Sequence, residues 1–247
     1  MSFNLKMIFL WWHFLWCMWS LKSLANRYKR MPEDTPPQLR NDQVLKRAKQ
    51  LLWYFNVNID VKGYENLPKG PSLLLPNHKS NLDPFIVLAA LEHKDKKLMG
   101  KNRIPTFIAK IELKRRKFIK SILEILDTFF INRSNIRQSI KTLDEFGEFV
   151  KANKTSGVIF PEGTRVDQDL LGEFKAGALR VAKKYYLPIV PIAISDTRQV
   201  LNKNRCKKIT VKIEFLKPIK QNEFITMDNH VVLNKVKKQI EERLLNG

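Results

Sequence analysis

Apolar and polar positions alternate from Val57 through Ile59 to Val61, a period of two that predicts a strand with one buried face. Short apolar runs follow at 72–75, 96–99, 128–131, 157–160, 189–194 and 209–216 and read as further strands. Helical patterns lie between most of them, at 84–92, 105–126, 135–152 and 175–186, with a last helix at 232–245. Strands alternating with helices predict an α/β domain over residues 56–247, with a mixed, largely parallel central sheet flanked by helices. No internal repeat is evident.

The first 55 residues follow another pattern. Residues 7–19 hold four of the five tryptophans, and only 15 residues separate Lys6 from Lys22. A helix needs roughly 20 apolar residues to cross a bilayer comfortably, and Trp concentrates at the headgroup boundary. The segment therefore reads as a monotopic helix lying in the interface, flanked by Lys6, Lys22, Arg27, Lys29 and Arg30. A single thin or tilted spanning helix is the alternative. A signal peptide ending near Ser23-Leu24-Ala25 and a soluble core helix are further readings. Arg27 to Asp42, with Pro32, Pro36 and Pro37, reads as a connector. Residues 43–55 form a second amphipathic helix, with Val44, Leu45, Ala48, Leu51 and Leu52 on one face and Lys46, Arg47 and Lys49 on the other. It either completes a two-helix membrane-surface element or packs on the catalytic domain.

Charge narrows the choice of partners. A net charge of +21 attracts polyanions: nucleic acid, an anionic membrane surface or acidic proteins. No helix-turn-helix, RNA-binding aromatic block or zinc finger is evident, so nucleic acid is not expected as a partner. Cys17 and Cys206 make no disulfide framework or metal quartet, and His13, His93 and His230 lack neighbours at ligand spacing. Neither a metal nor a cofactor is expected.

Open parallel sheets bind ligands outside the carboxyl ends of their strands, so the residues after each apolar run belong together. Asn77, His78 and Asp83 follow the first such run, and Asn132 and Arg133 follow 128–131. Glu162, Gly163, Thr164 and Arg165 follow 157–160. Asp83-Pro84 reads as an N-cap with Pro at the first helical position. The loop before it can let Asp83 hold one imidazole nitrogen of His78 while the other takes a proton, the geometry of a general base. Chance supplies about 0.2 such His-x4-Asp spacings in this composition, so the pair alone is weak evidence. Two arginines match phosphate oxygens, and a helix opening after Arg133 adds backbone donors for an anion. Structural ion pairs, for instance Arg165 with Glu162 or Asp167, are the bland account of the same residues. No Gly-x-Ser-x-Gly elbow, Walker loop or Gly-x-Gly-x-x-Gly occurs, so a covalent nucleophile, nucleotide hydrolysis and dinucleotide binding are disfavoured.

Four segments in this order, Asn77-His78-x4-Asp83, Phe130-Ile131-Asn132-Arg133, Phe160-Pro161-Glu162-Gly163-Thr164-Arg165 and Ile189-Val190-Pro191-Ile192-Ala193-Ile194, resemble the four blocks of the glycerolipid acyltransferases. The likeness covers roughly residues 56–220. It implies that His78 and Asp83 are catalytic, that the second and third blocks bind a glycerol phosphate, and that the fourth is mainly structural near the acyl donor. Lys110 resembles a further basic position, and Phe174-Lys175-Ala176-Gly177 the segment after the third block. The resemblance further implies acyl transfer from acyl-acyl carrier protein or acyl-CoA to lysophosphatidic acid on the cytoplasmic face of a membrane, without an acyl-enzyme. Glycerol 3-phosphate or another lysophospholipid is the alternative acceptor. Two positions depart from the pattern: Asp127 stands where Gly is usual, and Asn132 where Asp is usual.

Overall fold

The computed structural model describes residues 1–93, 100–165 and 170–245. The strand expected at 96–99, and Asp167, fall outside them. Seven strands form one sheet: β1 (Val57–Lys62), β2 (Ser72–Pro76), β3 (Pro105–Lys110), β4 (Phe129–Ile131), β5 (Ser156–Val158), β6 (Ile189–Ile194) and β7 (Ile209–Phe215), in the order β1-β7-β6-β2-β5-β3-β4. Every pairing is parallel except β6 with β7. The helices are α1 (Phe3–Arg30), α2 (Pro37–Tyr54), α3 (Asp83–Ala90), α4 (Lys117–Ile125), α5 (Ile136–Ala152), α6 (Gly177–Tyr185), α7 (Gln221–Phe224) and α8 (Asn229–Leu245).

Strand β2 shows why the sheet has helices on both sides. Leu73, Leu74 and Leu75 are all inaccessible to water. Leu73 and Leu75 join a core with Phe146 of α5, Leu179 of α6 and Val236 of α8. Leu74 faces the opposite core, with Leu45 of α2 and Ile86 and Val87 of α3. Successive side chains point to opposite faces, so an unbroken apolar run requires two covered faces.

The expected helix at 105–126 is wrong over its first half. Residues 105–110 are strand β3, a 3-10 turn follows at 111–115, and only Lys117–Ile125 is α-helical. Pairing with β5 on one side and β4 on the other overrides the local helical pattern. The Thr106 and Thr155 hydroxyls, 2.8 Å apart, share a hydrogen bond within the sheet. The expected connector also shrinks, to residues 31–36. α2 starts at Pro37, whose missing N–H and fixed φ suit a first helical position.

α1 is much longer than the 7–19 segment, with a kink at Leu10. Its second half packs inward through Cys17, Leu21 and Ala25. Ser23-Leu24-Ala25 thus lies within a packed helix. The stretch from Ile8 to Trp19 leaves Ile8, Phe9, Trp11, Trp12, Leu15, Trp16 and Trp19 exposed. Among the described residues no helix is long and apolar enough to cross a membrane. α2 buries Val44, Leu45, Ala48 and Leu52 in the same core as the sheet, which favours its packing on the α/β domain. Lys6 does not flank the apolar face as expected. Its Nζ donates to Trp53 O at 2.5 Å and to Asn56 Oδ1 at 2.6 Å. Burial lowers its pKa, and nearby Lys208 and Arg205 lower it further.

Asp127 explains one departure from the family pattern. Its φ of 49° lies in the left-handed region, where glycine costs least and Asp is tolerated. Keeping a carboxylate there creates a clasp. Arg40 of α2 donates to both Asp127 oxygens, at 3.0 and 2.9 Å, and Tyr28 of α1 donates at 3.1 Å. Arg40 also donates to the carbonyls of Thr35 and Ile125 and stacks on the Tyr28 ring. The clasp ties both N-terminal helices to the turn leading into β4. Removing one partner strands a buried charge, which costs about 3–5 kcal/mol, whereas an apolar replacement of both is often neutral. Asp127→Gly is therefore expected to lower stability despite its easier backbone, and Arg40→Met with Asp127→Gly to recover most of the loss. Thermal unfolding of both variants checks this.

Candidate active site

β2 ends at Pro76, and its loop presents His78 over the carboxyl edge of the sheet. His78 Nδ1 lies 2.9 Å from Asp83 Oδ2. The expected N-cap role of Asp83 does not hold. Leu82 caps α3, and the Asp83 carboxylate turns back onto the loop. Its Oδ2 accepts the backbone N–H of Lys79 and of Ser80, each at 2.7 Å, and its Oδ1 accepts the Thr197 hydroxyl at 2.7 Å. Asp83 and Thr197 are wholly buried. With donors on both carboxylate oxygens, the proton shared with His78 belongs on Nδ1, which leaves Nε2 bare. The Phe160 ring lies against the imidazole, with centroids 4.3 Å apart.

Two residues expected at the substrate are engaged elsewhere. Asn77 is buried and bridges β2 to β6: its Nδ2 donates to Ile194 O at 2.9 Å, and Ile194 N donates to its Oδ1 at 2.7 Å. Glu162, also buried, accepts the backbone N–H of His78 at 3.0 Å and that of Gly172 at 3.2 Å. Desolvation raises its pKa above the ordinary carboxyl value, and those two N–H groups and His78 work against the rise. Glu162 thus ties the His78 loop to Gly172. Gly163 has φ +70°, a left-handed backbone that favours glycine, and an added Cβ would lie 3.3 Å from the movable end of the Lys175 side chain.

The basic residues stand on the same edge. Lys110 ends β3 and pairs in register with Ile131 of β4, two residues before Arg133. β5 lies between β2 and β3, and the exposed Thr164 and Arg165 follow it six and seven residues past its last residue, Val158. Arg133 is open to water, yet the protein around it desolvates the guanidinium enough to lower its pKa, with Glu112 opposing. Arg133 stays charged near neutrality because its starting value is so high. Asn132, the second departure, receives the Ser134 N–H and hydroxyl and shapes the turn into α5, which Asn135 caps. Among the described residues Arg165 forms no ion pair, so the bland alternative of a structural pair with Glu162 is not made. The sequence reading missed Thr197, which lies in an unremarkable loop three residues past the fourth block.

A half-buried His78 held by the buried Asp83, at the carboxyl edge of a mainly parallel sheet whose neighbouring strands lead into Lys110 and Arg133, is an arrangement able to abstract a proton close to an anionic group. Comparison with known proteins agrees on the class. A family model described as Acyltransferase matches residues 58–195. A probable 1-acyl-sn-glycerol-3-phosphate acyltransferase of Mycoplasma pneumoniae is 35% identical over 230 residues, 88% of this chain and 83% of that protein. Another of the same description, from Mycoplasma genitalium, is 32% identical over 239 residues, 93% of this chain and 85% of its own length. The crystal structure of the 1-acyl-sn-glycerophosphate (LPA) acyltransferase of Thermotoga maritima superposes with a TM-score of 0.68 over 94% of this chain and 95% of that one. At 20% identity that likeness speaks for the fold alone. The chain belongs to the acyltransferase family, and it is an enzyme.

Glu162→Gln tests the clamp. One accepting oxygen becomes an NH₂ facing a buried N–H, and an unmet buried group costs about 1–3 kcal/mol. The expected outcome is a lower melting temperature, read by thermal unfolding near neutral pH.

Proposed function

We propose that this chain moves a fatty acyl group from an acyl thioester to the sn-2 hydroxyl of lysophosphatidic acid, giving phosphatidic acid. The observation that carries the mechanism is the His78–Asp83 contact at 2.9 Å, with Asp83 held from both oxygens. The acceptor is suggested by the names of the two Mycoplasma relatives and by cations that suit its phosphate. His78 Nε2 takes the sn-2 hydroxyl proton as that oxygen attacks the thioester carbonyl. Asp83 stabilises the imidazolium. The tetrahedral intermediate collapses, the C–S bond breaks, and the imidazolium returns its proton to the thiolate. Lys110, Arg133 and Arg165 hold the phosphate, with Thr164 and the turn at Gly163 beside them. The thiol belongs to acyl carrier protein or to CoA. Positioning two lipid-derived substrates contributes much of the rate.

A monotopic membrane contact completes the reading. Apolar patches of this kind mark interaction surfaces, and Trp suits the headgroup boundary. The Asn56 side chain binds Met1 O, Arg205 O and Cys206 O, and Asn4 Nδ2 donates to Asn204 Oδ1. Because β7 runs opposite to β6, residues 203–208 sit at the end of the sheet that carries His78. The first turns of α1 therefore lie toward the catalytic end. Exposed Lys203, Lys207 and Lys208 beside them take the lipid-facing role first given to Lys6.

Replacing His78 by Ala is expected to lower acyl transfer by about 10²- to 10⁴-fold while the melting temperature holds. Labelled acyl thioester with lysophosphatidic acid, resolved by thin-layer chromatography, reads it, and near-normal turnover would sink the mechanism. The triple variant Ile8→Ser, Trp12→Ser, Trp19→Ser changes only exposed side chains. It is expected to lose vesicle binding and activity on vesicle-borne acceptor but to keep activity on a monomeric short-chain acceptor. Unchanged cosedimentation with vesicles would overturn the membrane reading.

A further inference from the structure

We infer that Thr197 is a positioning residue of the acyltransfer site, acting on His78 through Asp83. The inference rests on the reading of His78 as general base and deepens it. It also gives the fourth block a part in the chemistry, because Thr197 is carried on the end of β6.

The geometry is specific. Thr197 precedes the 3-10 helix Arg198–Leu201 at its N-cap, where a Thr hydroxyl ordinarily accepts a backbone N–H of the first turn. Here its side chain makes no such capping bond. The hydroxyl instead donates to Asp83 Oδ1 at 2.7 Å, across 114 positions of sequence and in full burial. The other oxygen of Asp83 serves the loop and the imidazole, so Thr197 is the one partner among the described residues that reaches Oδ1. A carboxylate held only at Oδ2 can rotate about its Cβ–Cγ bond and carry the imidazole with it. Held at both ends, it fixes the ring plane and the Nδ1–H tautomer.

The strand that delivers Thr197 is itself locked to the strand that delivers His78. β6 and β2 pair in register from Leu73↔Ile189 to Pro76↔Ile192. The Asn77 amide then clamps both backbone groups of Ile194. Past that clamp, Ser195 N donates to Lys212 O at 2.9 Å. The path from β6 to Thr197 is therefore short and tied on both flanks, and Val200, which underlies the turn, is fully buried. The hydroxyl arrives at Asp83 from a rigid support.

The test separates positioning from mere support of the fold. Thr197→Val keeps shape and removes the donor, and Thr197→Ser keeps the donor and removes a methyl. Thr197→Val is expected to lower kcat by roughly tenfold or more, as loss of a hydrogen bond to a charged group should. Both KM values should stay within about twofold, because Thr197 is fully buried and its hydroxyl is engaged with Asp83. Thr197→Ser should return most of kcat. Combined with Asp83→Asn, Thr197→Val should cost little beyond Asp83→Asn alone, because both act on one carboxylate. A Thr197→Val enzyme with wild-type kcat, a Ser variant as slow as Val, or fully additive losses would each overturn the proposal. If Thr197→Val folds poorly, Thr197→Ala beside Thr197→Ser supplies the same comparison. Should His78→Ala prove active, the base reading fails by itself. The Thr197–Asp83 coupling can then still be read as non-additivity in thermal stability.

Discussion

The arrangement around His78 depends on the buried carboxylate of Asp83. A charge taken out of water must be met by donors or it will not stay there. This one is met by a side-chain ring, two loop amides and a hydroxyl from the loop that follows β6. Those donors also dictate the surrounding structure. The loop 78–80 must fold back over α3 to offer its amides, and β6 must run beside β2 to bring Thr197 into reach. Glu162 repeats the device on the outer side of His78, where burial raises its pKa and two backbone N–H groups compensate in part. Two buried carboxylates thus set the position of one imidazole.

The rest of the molecule serves that edge in a simple way. Parallel strands all present their carboxyl ends together, which gathers Lys110, Arg133 and Arg165 on the side of the sheet where His78 sits. Two cores, one on each face, hold the strands at fixed height. The N-terminal helices join one of these cores instead of hanging free, and the Arg40–Asp127–Tyr28 clasp ties them to the turn before β4. A membrane contact made by the Trp-bearing half of α1 would therefore be transmitted to a rigid catalytic body.

Much of this was legible in the sequence. The period-two run at 57–61 and the apolar runs marked six of the strands, because most of these turn at least one face to the core and β4 is half-buried along its length. His78, Asp83, Arg133 and Arg165 announced themselves by lying just past such runs. What escaped did so for physical reasons. β3 hid inside a helical pattern because pairing on both of its sides decided its state, and pairing is not a local property. Asn77 and Glu162 looked like substrate ligands because polar residues at strand ends usually face solvent. Here burial turned their side chains onto backbone groups. Thr197 carried no signal, since its partner lies 114 residues away. The role of Asp127 was visible only as a departure from a pattern until its positive φ and its contact with Arg40 could be seen together.

The central claim is that Asp83 holds the His78 imidazole with its proton on Nδ1 and a free Nε2 facing the acceptor hydroxyl. The ¹⁵N shifts of the His78 ring report this directly, with assignment by comparison with His78→Ala. For the neutral ring the account predicts a pyrrole-type signal from Nδ1 and a pyridine-type signal from Nε2. A neutral ring with its proton on Nε2, or an even mixture of tautomers, would contradict the account.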